Sequence, residues 1–298
     1  MSNLLGTYKN GNYRVFLYDD GTKVRETAED DFLPDRPECI DVGISTKCNH
    51  GCDFCYMGCS LDGSWANFSK FHFLDKLPKL LEVNINLNFP LNPDLVPFLE
   101  KMKAQGVIVN GTVQEMHFIQ HYSFLRELTE KELIHGLGIS FRYGSQDLLR
   151  KTSTIPYAVV HVIAGLFDKE DYAFLKGKGI KLLILGYKEI GRGKEYKEEC
   201  SEYMKRNLLW LKRRLPKMTD DFALISFDNL ALKQLNVKKW VDPKTWEEAY
   251  LGPDAMTSFY LDLVNGYYAP NSLSDDHRKI GEKSLQEMFE DIRGATTE

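Results

Sequence analysis

Four of the six cysteines of this chain lie within twelve residues, and this cluster constrains the chain more than any other feature. Cys48, Cys52 and Cys55 stand four and three positions apart, and Cys59 follows them. Thiolates this close repel one another, so such a cluster is usually stabilised by a metal ion, a disulfide or an iron–sulfur centre. The spacing lets one loop bind three corners of an iron–sulfur cube. The fourth iron then stays open to the donors of a small molecule.

Composition narrows the class of protein. The 298 residues are enough for one large α/β domain with an extension, or for two smaller domains, and 43% hydrophobic residues allow a large core. A net charge of −5 gives no electrostatic case for a nucleic-acid partner. Residues 1–10 lack an apolar signal core, and no run approaches the roughly 18 apolar residues of a membrane helix. We therefore expect a cytoplasmic protein with reduced thiols and no membrane contact.

Short apolar runs alternate with helical patterns between residues 39 and 187. Six strands are predicted, over residues 39–45, 81–87, 107–112, 135–142, 158–164 and 181–187, with helices over 73–81, 92–105 and 122–132. Strand followed by helix, repeated about six times, predicts a parallel sheet with helices outside it. Six units are too few for a closed eight-unit barrel. The predicted fold class is therefore α/β, as a partial (β/α)6 TIM barrel with one open side.

The two flanks of this barrel follow other patterns. Residues 12–27 predict an N-terminal β-hairpin, because a turn signal at 19–22 separates two β-type runs. Beyond residue 214, the patterns predict a strand at 222–228, a hairpin at 258–270 and an amphipathic helix at 275–293. We therefore divide the chain into a hairpin and linker (1–38), the barrel (39–214) and a C-terminal α+β extension (215–298).

The run Cys-x3-Cys-x-aromatic-Cys, with Phe54 at the aromatic position, resembles the signature of the radical S-adenosylmethionine (radical SAM) superfamily. The resemblance implies that Cys48, Cys52 and Cys55 hold a [4Fe–4S] cluster, and that SAM binds the fourth iron through its amino and carboxylate groups. It also implies a reductant such as flavodoxin or ferredoxin, whose electron cleaves SAM to a 5′-deoxyadenosyl radical that abstracts hydrogen from a substrate. The cofactors carry the difficult chemistry, and the protein binds, orients and shields them.

The same resemblance assigns adenine contacts to two strand ends. Ile163 and Gly165 lie in a run, Ile-Ala-Gly-Leu-Phe-Asp, that resembles the Ile-x-Gly-x-x-Glu motif lining the adenine, with Asp in place of Glu. The alternative is a strand end followed by an ordinary helix cap. Leu185 and Tyr187 end the sixth strand, where family members often offer backbone groups to the adenine, and the alternative there is a core strand end.

Polar contacts to SAM are implied at two further strand ends. Ser140 and Arg142 end the fourth strand, where the family places ribose and carboxylate ligands; a surface salt bridge is the alternative for Arg142. After the second strand the family usually carries Gly-Gly-Glu, which receives the SAM amino group. This chain reads Asn-Leu-Asn-Phe-Pro from residue 86 instead. The side-chain carbonyls of Asn86 and Asn88 could still accept from an ammonium group, with altered SAM geometry or weaker binding.

Two further features leave alternatives open. Cys59 has no place in the three-cysteine pattern and is interpreted as a core thiol, with an alternative cluster ligand or a reactive thiol as the other possibilities. Gly191-Arg192-Gly193, after the sixth strand, predicts either a plain turn or part of the active-site mouth.

The C-terminal part faintly resembles the SPASM/twitch extension of peptide-modifying radical SAM enzymes. No cysteine follows Cys200, so a second cluster is not expected there. The whole chain resembles uncharacterised radical SAM proteins of phage and bacterial genomes. A peptide or protein side chain is the favoured substrate, and a nucleoside or small metabolite is the second. Two other hypotheses stay open: a non-catalytic zinc- or iron–sulfur-binding protein, and a SAM-binding relative that has lost reductive cleavage.

Overall fold

A small antiparallel sheet opens the chain in the computed structural model, which describes residues 2–250 and 252–296. It contains β1 (Leu4–Asn10), β2 (Tyr13–Tyr18) and β3 (Lys23–Glu26), paired in that order. The pairing of β2 with β3 confirms the predicted hairpin. The additional strand β1 was not predicted, since its sequence, Leu-Leu-Gly-Thr-Tyr-Lys-Asn, does not alternate between apolar and polar residues, although its burial does alternate from Leu5 onward.

A second, much larger sheet contains the other ten strands. They are β4 (Cys39–Gly43), β5 (Glu82–Asn86), β6 (Ile108–Gln114), β7 (Gly136–Ser140), β8 (Ala158–Ile163), β9 (Lys181–Leu185), β10 (Leu224–Phe227), β11 (Ser258–Asp262), β12 (Tyr267–Ala269) and β13 (Arg278–Lys279). Their order is β10-β9-β8-β7-β6-β5-β4-β11-β12-β13. All pairs from β10 to β11 are parallel, and β12 and β13 add antiparallel strands at one side. The fold is thus mixed α/β with a mostly parallel sheet, as predicted.

Ten α-helices accompany the strands in the described part of the chain. They are α1 (Leu95–Ala104), α2 (Glu115–Gln120), α3 (Tyr122–Glu130), α4 (Gln146–Thr152), α5 (Lys169–Leu175), α6 (Arg192–Glu199), α7 (Ser201–Arg214), α8 (Asn229–Leu235), α9 (Pro243–Ala249) and α10 (Leu285–Thr296). Helix α1 buries Leu95, Phe98, Leu99 and Met102, an i, i+3, i+4, i+7 stripe, and ends before Gly106 at φ +72°. Among the described residues, no helix combines the length and the apolar character needed to cross a membrane.

Two predicted helices are wrong in type or extent. Residues 73–81 contain only a short 3-10 turn, His72–Asp75. Pro78 disfavours helical backbone at the residue before it, and Leu80 has φ +61°, so the chain stays irregular up to β5. The last helix begins at Leu285 rather than near residue 275, because the residues before it form strand β13 and then a glycine turn.

The parallel part of the sheet has eight strands rather than the predicted six. β10 pairs with β9, and β11 pairs with β4, so both join the sheet formed by the barrel strands. Both strands were expected within the C-terminal extension, and one hydrogen-bonded sheet therefore crosses the boundary expected at residue 215. Sequence pattern identifies a strand but not its partner, since pairing depends on contacts between distant residues.

The two faces of the large sheet differ in polarity. In β5, β6 and β9, every second residue is buried and the residues between are only half-buried. The buried set belongs to one apolar core that also contains helix residues such as Phe98 and Leu128. On β5 and β6, polar residues including Asn84, Asn110 and Gln114 occupy the other face, whereas β9 places Leu183 and Leu185 there. Parallel strands covered by helices on both faces are almost uniformly apolar, so the alternation on β5 and β6 indicates that helices cover one face and that the other is polar at these strands.

A buried ionic network joins the N-terminal sheet to the start of the large sheet. Glu38, just before β4, accepts hydrogen bonds from Arg25 Nε at 2.9 Å and from the Tyr13 hydroxyl at 2.7 Å. Lys23 pairs with Glu38 and with Glu82, the first residue of β5. The small sheet therefore packs against the N-terminal ends of the parallel strands, opposite the edge that carries the cysteines.

We predict that Glu38→Gln lowers the free energy of unfolding by about 3 kcal/mol at pH 7, because two buried cations lose their shared carboxylate. Burial alone would raise the pKa of Glu38, but hydrogen bonding to Arg25 and the charges of Lys23 and Arg25 hold it below its ordinary value. The carboxylate thus stabilises the fold fully above the ordinary glutamate pKa, and this contribution is lost as the pH falls through the folded-state pKa.

Urea denaturation at several pH values measures the effect. The difference between wild type and Glu38→Gln should narrow below about pH 4. Glu26→Gln, on the exposed side of β3, is the matched control and should change stability by less than about 0.5 kcal/mol. Equal losses in the two variants would contradict the assignment.

Candidate functional site

The cysteines lie in a loop that leaves the C-terminal end of β4; residues 44–66 are called the cysteine loop below. The loop folds back on itself through backbone hydrogen bonds: Cys48 N–H donates to Ser60 O at 2.8 Å, and Ser60 N–H donates to Thr46 O at 3.1 Å. A tight turn follows, in which Cys55 N–H donates to Cys52 O at 3.2 Å. These bonds fix the backbone on which the thiols are placed, at the edge where βα folds carry their chemistry.

Three of the thiols lie close together and half-buried. Burial, and then the charges of the neighbouring Cys55 and Cys48 thiolates, raise the pKa of Cys52 to about 11. This mutual repulsion is what a positively charged centre would relieve. Among the described residues, no His, Cys, Asp or Glu side chains converge in groups of three as around a single ion. A cubane cluster does not require such convergence, because each thiolate binds a different iron, and the donor set fits a [4Fe–4S] cluster.

Cys59 lies behind this group and is only 5% exposed. Its thiol lies 4.0 Å from Ser45 O, and its proximity to the Cys55 sulfur lowers the pKa of Cys55 against the effect of burial. Asn88 Nδ2 lies 3.4 Å from the Cys59 sulfur. The burial of Cys59 is what a core thiol requires, and its contact with Cys55 leaves the predicted alternatives of a cluster ligand and a reactive thiol open.

The segment after β5 supports the cysteine loop from one side. Asn86 accepts from Ile44 N–H at 2.8 Å and donates to Ser45 O at 2.7 Å, and Asn88 also donates to Ser45 O. Phe89 O accepts from the backbone N–H of Asn49 at 2.8 Å. Both asparagines were predicted as acceptors for the SAM ammonium group. In the structure, both the oxygen and the nitrogen of the Asn86 side-chain amide hydrogen-bond to the backbone of the cysteine loop.

Phe54, the aromatic residue of the motif, extends from the loop towards β7 and β8. The guanidinium of Arg142 lies 5.2 Å from the centre of its ring, and Tyr196 packs against its edge at 5.9 Å. A small cleft opens at this point. It is lined by Phe54, Phe141, Arg142, Val162, Ile163, Leu166, Phe167 and Asp171. The structure therefore brings Arg142 and Ile163, two predicted SAM contacts, to one cleft beside the cysteine loop. Ser140 ends β7, two residues before Arg142.

Other predicted adenine contacts are engaged within the fold. Gly165 has φ +90°, and its carbonyl accepts from Asn207 Nδ2 at 3.2 Å. Leu185 O accepts from Ala164 N–H at 2.8 Å. The backbone N–H and C=O of Tyr187 both pair with the side-chain amide of Gln234, at 2.8 and 2.9 Å. A backbone N–H has one hydrogen, so Tyr187 cannot offer it to a ligand while Gln234 stays in place.

The aspartate that replaces the motif glutamate caps a helix. The Asp168 carboxylate accepts from the backbone N–H groups of Glu170 and Asp171. The Asp171 carboxylate in turn accepts from the backbone N–H of Asp168, which completes a capping box. This matches the helix-cap alternative. Burial, and then the Asp168 carboxylate, raise the pKa of Asp171 to about 6.

Two residues of the site were not identified from the sequence. Glu115 is fully buried, and one of its oxygens accepts from the backbone N–H groups of Arg142 and Tyr143, at 2.8 and 2.9 Å, and of Gly144 at 3.3 Å. His117, on α2, places Nε2 2.6 Å from Oδ1 of Asn49 in the cysteine loop. An acidic residue directly after a buried strand was the available signal for Glu115. No sequence pattern could have identified His117, because its contact with Asn49 depends on where α2 lies.

The fold of this chain is similar to that of a protein of known structure. The chain superposes on SuiB from Streptococcus suis bound to S-adenosylmethionine with a TM-score of 0.55 and 14% identity, over 89% of this chain and 68% of that one. It superposes on SuiB bound to the precursor peptide SuiA with a TM-score of 0.52 and 13% identity, over 86% and 65% of the two chains. This chain thus spans about two thirds of SuiB and shares its fold. No protein-family model and no curated protein sequence matches the chain.

We predict that Glu115→Ala lowers the free energy of unfolding by about 3 kcal/mol, because backbone N–H groups after β7 lose their buried acceptor. Glu115→Gln retains a side-chain carbonyl at the same place and should lose less than half as much. Guanidinium denaturation monitored by circular dichroism measures both. Glu127→Ala, an exposed residue of α3, is the control and should change stability by less than about 1 kcal/mol. A Glu115→Ala protein as stable as this control would contradict the role given to Glu115.

Proposed function

We propose that this protein is a radical SAM enzyme, in which Cys48, Cys52 and Cys55 bind a [4Fe–4S] cluster and SAM binds beside it. One observation carries the proposal: three half-buried thiols stand on one loop at the C-terminal end of the first strand of a mostly parallel sheet. The fold shared with SuiB, whose crystal structure contains SAM, supports the same conclusion. When bound, the cluster supplies the electron that cleaves SAM to a 5′-deoxyadenosyl radical, which takes hydrogen from the substrate.

The protein's own residues bind and orient SAM in this proposal. Arg142, at the cleft beside Phe54, pairs with the SAM carboxylate in a bidentate fork, and Ser140 contributes a hydroxyl from the same strand end. Asn88 and Asn86 lie at the end of β5 and offer amide oxygens to the amino group. Their carbonyl oxygens have two lone pairs, so a bond within the fold does not exclude a second partner.

The adenine lies, in this proposal, along the ends of β8 and β9. Ile163 lines the same cleft as Arg142, and Gly165, Leu185 and Tyr187 follow on the two strands. Ile163 packs with Leu166 and Tyr187 in a small apolar cluster that also receives Phe54. An apolar surface of this kind covers a flat aromatic ring, and the carbonyl oxygens of Gly165 and Leu185 each keep a second lone pair for the polar edge of that ring.

We further propose that the sheet curves into a partial barrel around its polar face, with residues 1–38 and 215–298 as the flanking N- and C-terminal parts. The substrate is a peptide or protein side chain. The support is the shared fold with SuiB, which has been crystallised with the precursor peptide SuiA. A reductant of the flavodoxin or ferredoxin type, in the cytoplasm, would supply the electron.

Anaerobic reconstitution with iron and sulfide tests the proposal. The protein should become brown and bind about four irons and four sulfides per chain. Dithionite and SAM should then release 5′-deoxyadenosine and methionine. Zinc without iron uptake would favour a structural metal site, and a stable cluster without SAM cleavage would favour a relative that has lost the reaction. Either result would overturn the proposed activity.

We predict that Cys52→Ala abolishes both iron binding and 5′-deoxyadenosine release, since two thiolates cannot hold the cluster against loss of its third ligand. Cys59→Ala should retain both, because Cys59 is buried and is not one of the three proposed ligands. Iron and sulfide analysis of the two reconstituted variants, followed by chromatographic detection of 5′-deoxyadenosine, makes the comparison. Loss of the cluster in Cys59→Ala would show that the ligand assignment is wrong.

A further inference from the structure

The turn between β9 and α6 makes direct contact with the cysteine loop, although more than 130 residues of sequence separate them. Arg192 Nε donates to the carbonyl of Cys52 at 2.9 Å, and one of its terminal nitrogens donates to the carbonyl of Cys59 at 3.0 Å. The guanidinium thus bridges two points of the loop on either side of Cys55. Its planar donors hold these two carbonyls at a fixed separation, as a flexible ammonium could not.

The two glycines beside Arg192 let the backbones approach closely. Gly191 has φ +55°, and a Cβ at this residue would lie 2.4 Å from the carbonyl oxygen of Tyr56. A Cβ on Gly193 would lie 2.5 Å from Lys188 O and 3.4 Å from Phe54 O. A side chain at Gly191 would therefore push the turn away from the cysteine loop, and both positions require glycine for backbone reasons.

The turn itself is anchored. The Tyr187 hydroxyl donates to Gly193 O at 2.6 Å, and the side-chain amide of Gln234 holds the Tyr187 backbone. Arg192 is half-buried, and no ion pair between it and a carboxylate occurs in the described ranges 2–250 and 252–296. Its permanent charge is therefore directed at the loop that carries four thiols.

We propose that Arg192, placed by Gly191 and Gly193, is a positioning residue that sets the cysteine loop in its cluster-receiving conformation before the cluster is present. The inference rests on the proposed function, because it takes the loop to be the cluster site. It goes further in naming a residue that is not a ligand, and in assigning the order of events: the loop is shaped by protein contacts, and the cluster then enters.

The test compares Arg192→Ala, Arg192→Lys and wild type, first without metal and then after reconstitution. In the metal-free proteins, hydrogen–deuterium exchange of residues 48–60 reports the order of the loop. We expect this exchange to be at least ten times faster in Arg192→Ala, and bound iron after reconstitution to fall by more than half. Arg192→Lys keeps the charge but cannot bridge both carbonyls, so it should give intermediate values. Lys194→Ala, an exposed residue of the same helix, is the matched control and should behave as wild type.

The outcomes separate the inference from the proposed function. If wild type binds iron, and Arg192→Ala exchanges and loads iron as wild type does, the inference is overturned and the proposed function stands. If wild type itself binds no iron, the proposed function is wrong and the cluster-receiving role falls with it. Should Arg192→Ala lose its far-ultraviolet circular dichroism, the folded Arg192→Lys variant decides: wild-type exchange and iron content in that variant would overturn the requirement for a bridging fork.

Discussion

A half-buried loop that carries thiols must keep one conformation without a helix or a sheet of its own, and several contacts of this structure meet that requirement. Its backbone polar groups need partners, since each buried and unpaired group costs about 1–3 kcal/mol. Some of the partners of the cysteine loop lie within the loop itself. Others are Asn86 and Asn88, at and just after the end of β5, and Arg192 in the turn after β9. These partners lie on strands that are not adjacent in the sheet. Correct folding of the site therefore depends on correct assembly of the whole sheet.

Polar groups on the large sheet also have hydrogen-bond partners within the fold. One face is apolar and joins the core, and the other carries polar residues such as Asn84, Asn110 and Gln114. A chain of amide hydrogen bonds, Asn110 to Asn84 at 3.0 Å and Asn84 to Asp41 at 2.9 Å, satisfies part of this face across three strands. The cost of leaving such groups unpaired is avoided, while the face stays accessible. A face with this chemistry suits a polar ligand better than a second layer of helices.

Much of this architecture could be predicted from the sequence, and the errors have physical causes. The parallel strands and α1 have strong periodic patterns, and the structure confirms them. β10 and β11 were predicted as strands without a partner, because strand pairing is decided by distant contacts that no local pattern contains; in the structure they pair with β9 and β4. The cysteines were identified from their spacing alone. Glu115 and His117 were not, because their contacts depend on the position of α2 against the loop.

In the proposed enzyme, the end of β5 and the residues after it would compensate for one departure from the radical SAM pattern. Where the radical SAM pattern has two glycines and an acid, this chain has asparagines that hold the backbone at Ile44 and Ser45, and Asn88 also contacts the sulfur of Cys59. Glycines and a carboxylate would leave those backbone donors and carbonyls without these partners. An asparagine amide can both donate and accept, so it supports the loop and keeps one lone pair for a ligand. The carboxylate's charge is lost in exchange, which weakens attraction for an ammonium group. In the proposed enzyme, the binding of SAM would then depend more on the pairing of its carboxylate with Arg142 than on contacts to its amino group.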